Sequence, residues 1–269
     1  MTSLERAGDW LRRIPVGEHA RGPLRRLYQA ALSIGTLGRG LRRDLPSGER
    51  LFVSPAHRHI NWNPAEFQAF RAAVGPGAVA FDIGANVGAY SLALGHWVGR
   101  GGRVFAFEPS PLEYDGLCEH IRLNDLADRV TPVQSAVGAD VATLPFIVEP
   151  TAGEGRLAAV GSARATVTVP VTTVDAFCAE GRVVPDFIKV DVEGAELDVL
   201  RGARDTIART RGRLALFVEL HPALWPERGL TRGDLEREIG RLGLAVESLV
   251  PNADPWTLEG VTARLVATR

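Results

Sequence analysis

Apolar and polar residues change rhythm near residue 78 of this 269-residue chain. Beyond that point short, mainly apolar runs alternate with stretches of helical periodicity. The runs are 79–83, 104–107, 130–137, 187–190 and 214–220, and the helical stretches cover about 88–98, 111–124 and 194–209. Strands without polar alternation are buried on both faces, so this pattern predicts a parallel sheet with helices on either side. The regularity fails at 141–177. There TLPFIVEP and ATVTVPVTTVDAF predict extra strands around a loop carrying Gly153, Gly155 and Gly161. Such an insertion is expected to form a flap that closes water out from an acceptor, with a plain surface hairpin as the alternative. After residue 220 a helix at about 231–242 precedes two strands, 244–250 and 260–267, which predict a hairpin and an antiparallel edge.

Before residue 78 the pattern is weaker. Residues 1–45 are predicted to be helical in pieces, broken at Pro15, Pro23, Gly35, Gly38 and Gly40. Leu24, Leu27, Ala31 and Ile34 recur at helical spacing beside Arg25 and Arg26. This helix is expected to lie against the main domain; a membrane surface or an acidic partner is the alternative for a basic amphipathic helix. A short strand and a turn with His57 and His59 follow, then a helix from Pro64 through Phe67 and Phe70, ended by Gly75-Pro76-Gly77. The histidines suit a surface turn or, alternatively, the wall of an acceptor pocket. The expected organisation is an N-terminal extension at 1–74 and a main domain at 75–269.

Charge changes the picture only locally. The formal net charge is −1, which does not point to nucleic acid. Residues 1–60 hold 11 arginines against five acids, so the remainder is acidic. Two distant cysteines, Cys118 and Cys178, do not read as a disulfide scaffold and suit a reducing cytosol. No run reaches the ~20 apolar residues of a membrane span, and arginines interrupt any signal-like stretch. A cytoplasmic protein without stable membrane insertion is expected; self-association stays open. Of 31 basic residues 30 are arginine, and the single lysine is Lys189.

The sharpest motif is Phe81-Asp82-Ile83-Gly84-Ala85-Asn86-Val87-Gly88-Ala89-Tyr90-Ser91, directly after the first apolar run. Gly84 and Gly88 permit a tight turn, Asn86 tolerates unusual backbone angles, and a helix starting there aims free N–H groups at a ligand. Twenty residues beyond Gly88, Glu108 ends the second strand, where a carboxylate can accept both ribose hydroxyls of a nucleoside. The dinucleotide fingerprint requires glycine at the third position of such a turn, where this chain has Asn86. Asp82 suits an ammonium or sulfonium group better than a phosphate. The expected ligand is therefore S-adenosylmethionine (SAM). A nicotinamide-dependent oxidoreductase and a non-catalytic nucleoside-binding scaffold are the alternatives.

FDIGANVGAYS (81–91), FAFEPSP (105–111), FIKVDVEGAELDVLRGA (187–203) and FVELHP (217–222) together resemble the FkbM family of SAM-dependent methyltransferases. The resemblance runs from about residue 78 to 222. It implies a class I methyltransferase fold, a Rossmann-like seven-stranded sheet whose last strand is antiparallel. It also implies methyl transfer to a small-molecule acceptor, often a hydroxyl of a secondary metabolite, sugar or glycolipid. The expected cofactor set is Asp82, Gly84, Asn86, Gly88, Tyr90, Ser91, Glu108, Ser135 and Asp191.

The acceptor side is expected at the ends of the strands carrying Asp191 and Glu219. Asp191, Glu193, Glu219 and His221 converge there if the two strands are neighbours. His221 is the natural general base for a hydroxyl, oriented by Glu219 or Asp191. Alternatively these groups hold Mg²⁺, which would acidify the hydroxyl. The metal-free base is the preferred expectation, and no metal-ligand set is assigned. Glu196 reads as a first-turn helix acid that answers the helix dipole. Lys189, inside a central strand, requires a partner, because an unpaired buried charge is costly. Asp82 and Glu219 on the flanking strands are the expected partners, with Lys189 counted among the catalytic set.

Overall fold

The computed structural model describes residues 38–148, 155–158, 166–250, 252–257 and 260–268. The predicted helix carrying Leu24, Leu27, Ala31 and Ile34 lies outside these residues, as do Gly153 and Gly161. Two units emerge, Met1–Ile60 and Asn61–Arg269. In the first, β1 (Leu41–Asp44) pairs antiparallel with β2 (Arg50–Val53). Residues 41–44 are therefore strand, not helix: the turn at 45–49 folds them back onto β2, and ladder bonds replace local helical ones. His57 ends a short 3₁₀ turn, Pro55–His57, where its Nδ1 lies 3.0 Å from Ser54 Oγ. His59 is exposed.

The larger unit is built on a seven-stranded sheet. Its strands are β3 (Val79–Ile83), β4 (Arg103–Phe107), β5 (Val130–Val133), β10 (Phe187–Val190), β11 (Ala215–Leu220), β12 (Leu244–Ser248) and β13 (Val261–Ala267). Their spatial order is β12-β13-β11-β10-β3-β4-β5. β10, β3, β4, β5 and β11 run parallel, while β13 is antiparallel to both its neighbours. The closing hairpin thus places its return strand one position in from the edge. The alternation of strands and helices predicted this mostly parallel sheet, and its seven strands with one antiparallel member are the class I arrangement that the family resemblance implied.

Helices α1 (Pro64–Ala73), α2 (Ala89–Val98), α3 (Pro111–Leu123), α4 (Val174–Gly181), α5 (Glu196–Arg201), α6 (Arg204–Arg209) and α7 (Arg232–Arg241) accompany the strands. Asn63 caps α1, its Oδ1 accepting from the Ala65 N–H at 3.0 Å. Phe70 of α1 stacks edge-on against Phe187, Phe217 and Tyr90, with centroids 4.9–5.4 Å apart. This helix lies within the larger unit, Asn61–Arg269, with Phe67 and Phe70 buried. The opposite sheet face is apolar, with Phe81, Phe105 and Phe107 meeting Phe177 of α4.

The irregular segment forms a second, four-stranded sheet: β6 (Ala136–Val137), β7 (Ala142–Ile147), β8 (Arg156–Leu157) and β9 (Thr166–Thr172), in the order β6-β9-β7-β8. Among the described residues no helix is long and apolar enough to cross a membrane.

Candidate active site

At the carboxyl ends of β3, β4 and β10 the backbone must turn sharply in a crowded space. Gly84 has φ +79°, and a Cβ there would lie 1.7 Å from the carbonyl oxygen of Asp191. Only glycine lets the β3 turn pass so close to the end of β10. Asn86 follows in the left-handed region at φ 51°, its Oδ1 accepting from the Val87 N–H at 2.7 Å. The Asn86 N–H donates to Glu108 Oε2 at 2.8 Å, and the Ser110 N–H donates to Oε1 at the same distance. Burial outweighs these two bonds and pushes the Glu108 carboxyl up to about 7.

These residues edge a cavity of about 220 Å³. Gly84, Asn86, Glu108, Ser135 and Asp191 of the expected cofactor set line it, together with Glu193. Phe146 and Leu157 of the second sheet close it together with Gly155 just before β8, so the irregular segment covers this cavity. Arg228 Nη1 donates to the Leu157 carbonyl at 3.3 Å, anchoring β8 to the 3₁₀ turn Trp225–Arg228.

Asp82, Gly88, Tyr90 and Ser91 do not line this cavity. Asp82 is fully buried, its Oδ2 accepting from Ser91 Oγ at 2.6 Å. Gly88 instead makes room for Leu117. Tyr90 donates to Glu66, whose other oxygen accepts from Thr262 Oγ1 at 2.8 Å. Burial, then Glu66, raise the phenol above its ordinary range. Side chains beginning α2 turn back onto the sheet, which is why they support the site from beneath.

Strand register settles the partners of Lys189. Asp82 is its direct neighbour on β3, and Phe217 its neighbour on β11, which leaves Glu219 one pleat further along. Lys189 Nζ lies 3.6 Å from Asp82 Oδ1 and 3.1 Å from Asp191 Oδ2. The expected Asp82 contact is present, whereas Asp191 takes the place expected for Glu219. The ammonium also lies 5.5 Å from the Tyr90 ring centroid. Burial alone would depress the lysine, but Asp191, Asp82 and Glu219 overcome it and raise it. Complete burial pushes the Asp82 carboxyl up, against the pull of Lys189 and Ser91.

His221 is held by Glu196, not by Glu219 or Asp191. Its Nδ1 lies 2.7 Å from Glu196 Oε1, and Glu196 is wholly buried. Glu196 also accepts from Trp225 Nε1 at 2.9 Å and from the Gly194 N–H at 3.0 Å. Three buried donors on one carboxylate replace the helix-dipole reading given to Glu196 above. The sequence signal was a carboxylate in the turn after β10 facing a histidine just after β11. Gly194 makes the turn possible: at φ +91° it lies against Leu224, and a Cβ would approach Leu224 Cβ to 2.8 Å. His221 Nε2 then faces Glu193 Oε2 at 3.6 Å, Asp191 Oδ1 at 3.8 Å and Glu219 Oε1 at 3.9 Å. Burial would lower the imidazole, yet Glu196, Glu193 and Asp191 push it up to about 9. Burial and Asp191 push Glu219 up to about 8.

The sequence pattern of the Methyltransferase FkbM domain matches residues 82–243, more than half of the chain. This chain belongs to the FkbM methyltransferase family. The matched segment is a methyltransferase domain. The hexuronic acid methyltransferase AglP of Haloferax volcanii is 28% identical over 172 residues, covering 61% of this chain and 66% of that protein. Methyltransferase sdnD of Sordaria araneosa is 29% identical over 152 residues, covering 45% and 58%. The matched stretch thus spans less than two thirds of each relative's length. A crystal structure of methyltransferase FkbM from Methylobacillus flagellatus superposes with a TM-score of 0.45 at 18% identity, covering 74% of this chain and 50% of that one.

Proposed function

We propose that this FkbM methyltransferase transfers the SAM methyl group to a hydroxyl of a small acceptor, a sugar or another natural product. One observation carries the reading: Asp191 belongs both to the cavity edged by Gly84 and Glu108 and to the polar cluster around His221. Donor and acceptor sites that share a residue hold the reacting atoms at close range, and such positioning can supply much of the acceleration of an in-line displacement. In this reading Glu108 accepts the ribose hydroxyls, Gly84 and Asn86 face the methionine portion, and Ser135, Phe146 and Leu157 border the adenine. Asp82, Ser91, Tyr90 and Lys189 act from beneath by fixing Asp191.

A hydroxyl acceptor loses its proton as the methyl group moves from sulfur to oxygen, and the cluster of His221, Asp191 and Glu219 is where that proton leaves. The relative from Haloferax volcanii is a hexuronic acid methyltransferase, which favours a sugar among the possible acceptors. Radiolabelled SAM offered with a panel of sugars and polyols tests this. Label recovered as an alkali-stable ether is the expected product; transfer to nitrogen or carbon overturns the oxygen assignment. Calorimetry with SAM and with NAD⁺ tests the donor, and only SAM is expected to bind.

A further inference from the structure

We propose that Asp191, Glu219 and His221 together bind a divalent cation of the Mg²⁺ or Mn²⁺ class at the acceptor end of the site. The inference rests on the methyl-transfer reading for its purpose, though not for its geometry. One donor atom from each of the three residues lies within 4.8 Å of the others. The separations from His221 Nε2 to the surrounding carboxylate oxygens, 3.6–3.9 Å, are too long for hydrogen bonds. They suit atoms that meet through a shared ion.

The imidazole is presented for this purpose. Its side chain is 8% exposed, and its Nδ1 is committed to Glu196, so Nε2 is the nitrogen aimed into the cluster. A carboxylate behind a ligating histidine fixes the ring and strengthens the ligand. Asp191 is divided in the same way, with Oδ2 on Lys189 at 3.1 Å and Oδ1 turned to His221.

Charge supplies an independent argument. Asp191, Glu193 and Glu219 converge on one imidazole, while Lys189 is shared between Asp191 and Asp82. The chain has 30 arginines, yet among the described residues no basic side chain lines the adjoining cavity. Such an excess of carboxylates attracts a cation, and a donor set dominated by oxygen selects a hard one. Bound there, the ion would take the acceptor oxygen as a further ligand and lower the pKa of its hydroxyl. The hydroxyl proton then passes to water, the oxygen forms its bond to the methyl carbon, and the carbon–sulfur bond breaks to leave a neutral thioether.

The test is Mn²⁺ titration of the full chain without SAM, followed by electron paramagnetic resonance. One Mn²⁺ per chain is expected. Affinity should fall at least 10-fold in Glu219→Gln and in His221→Gln, and about 10–100-fold in Glu196→Gln, which touches the ion only through His221. Far-UV circular dichroism and SAM binding by Glu219→Gln establish that the variant is folded. No stoichiometric Mn²⁺ binding by the wild type overturns the proposal, as does undiminished affinity in folded Glu219→Gln. Failure of the wild type to bind SAM would count against the methyl-transfer reading and leave the Mn²⁺ result standing.

Discussion

Glu196 Oε1 lies 2.7 Å from His221 Nδ1, joining the turn after β10 to the turn after β11 through two buried side chains. The bond leaves Nε2 as the imidazole nitrogen that faces Asp191, Glu193 and Glu219. It also ties α5 to the Trp225–Arg228 turn, since Trp225 donates to the second oxygen of the same carboxylate.

Glu196→Gln should therefore lower turnover roughly 10–100-fold while SAM binding changes little. The amide cannot accept from Trp225, Gly194 and His221 together, so one buried donor is stranded at a cost of about 1–3 kcal/mol. Steady-state kinetics and thermal denaturation check both parts. Unchanged turnover would remove His221 from the reaction.

Lys189→Met should leave Asp82 buried beside an apolar neighbour. Removing one partner of a buried pair costs about 3–5 kcal/mol, and SAM binding and turnover should fall with stability because Asp191 loses its anchor. The double variant Lys189→Met/Asp82→Asn should recover much of the stability without recovering turnover. Full stability and activity in the single variant would dismiss the ion pair as a structural element.

The raised Glu108 carboxyl makes a pH prediction. Its folded pKa of about 7 exceeds the ordinary value of 4.5, so its stabilising contribution is complete below 4.5 and is lost as pH rises through 7. The loss amounts to at most about 3 kcal/mol. Thermal stability of the ligand-free protein should fall between pH 5 and 8, and Glu108→Gln should flatten that fall. With Glu108 proposed to hold the ribose as the ionised carboxylate, SAM should bind more tightly as pH rises through 7. Below that pH, calorimetry in buffers of different ionisation heat should show proton release on binding.

Phe146 and Leu157 bring the second sheet over the cavity. SAM should accordingly protect the β7–β8 ribbon from proteolysis, and Leu157→Ala should weaken SAM binding by about 10-fold or more. Equal cleavage rates with and without SAM would show that this ribbon does not respond to the donor.

The class I sheet was legible because its signals are local. Apolar runs with no polar alternation mark strands buried on both faces, and glycines at 84 and 88 mark the turn whatever else surrounds it. Gly84, Asn86, Glu108, Ser135 and Asp191 could be named in the same way, since each follows a strand end. Nothing in the spelling of Pro64–Ala73 reveals that Phe70 packs against Phe187 and Phe217.

Side-chain partnership was beyond such reading. A lysine in a central strand demands an anion from elementary electrostatics, and its neighbours were narrowed to two strands. Register decided between Asp82 and Glu219, because a shift of one pleat separates contact from distance, and Asp191 joined from the end of Lys189's own strand. Glu196 carried the same spelling whether it answered a helix dipole or held His221. Its role arose only when the turns at 191–196 and 221–225 packed together and shut three N–H donors away from water. Periodicity along a chain specifies which residues must be buried; the meeting of distant turns specifies which charges are buried together.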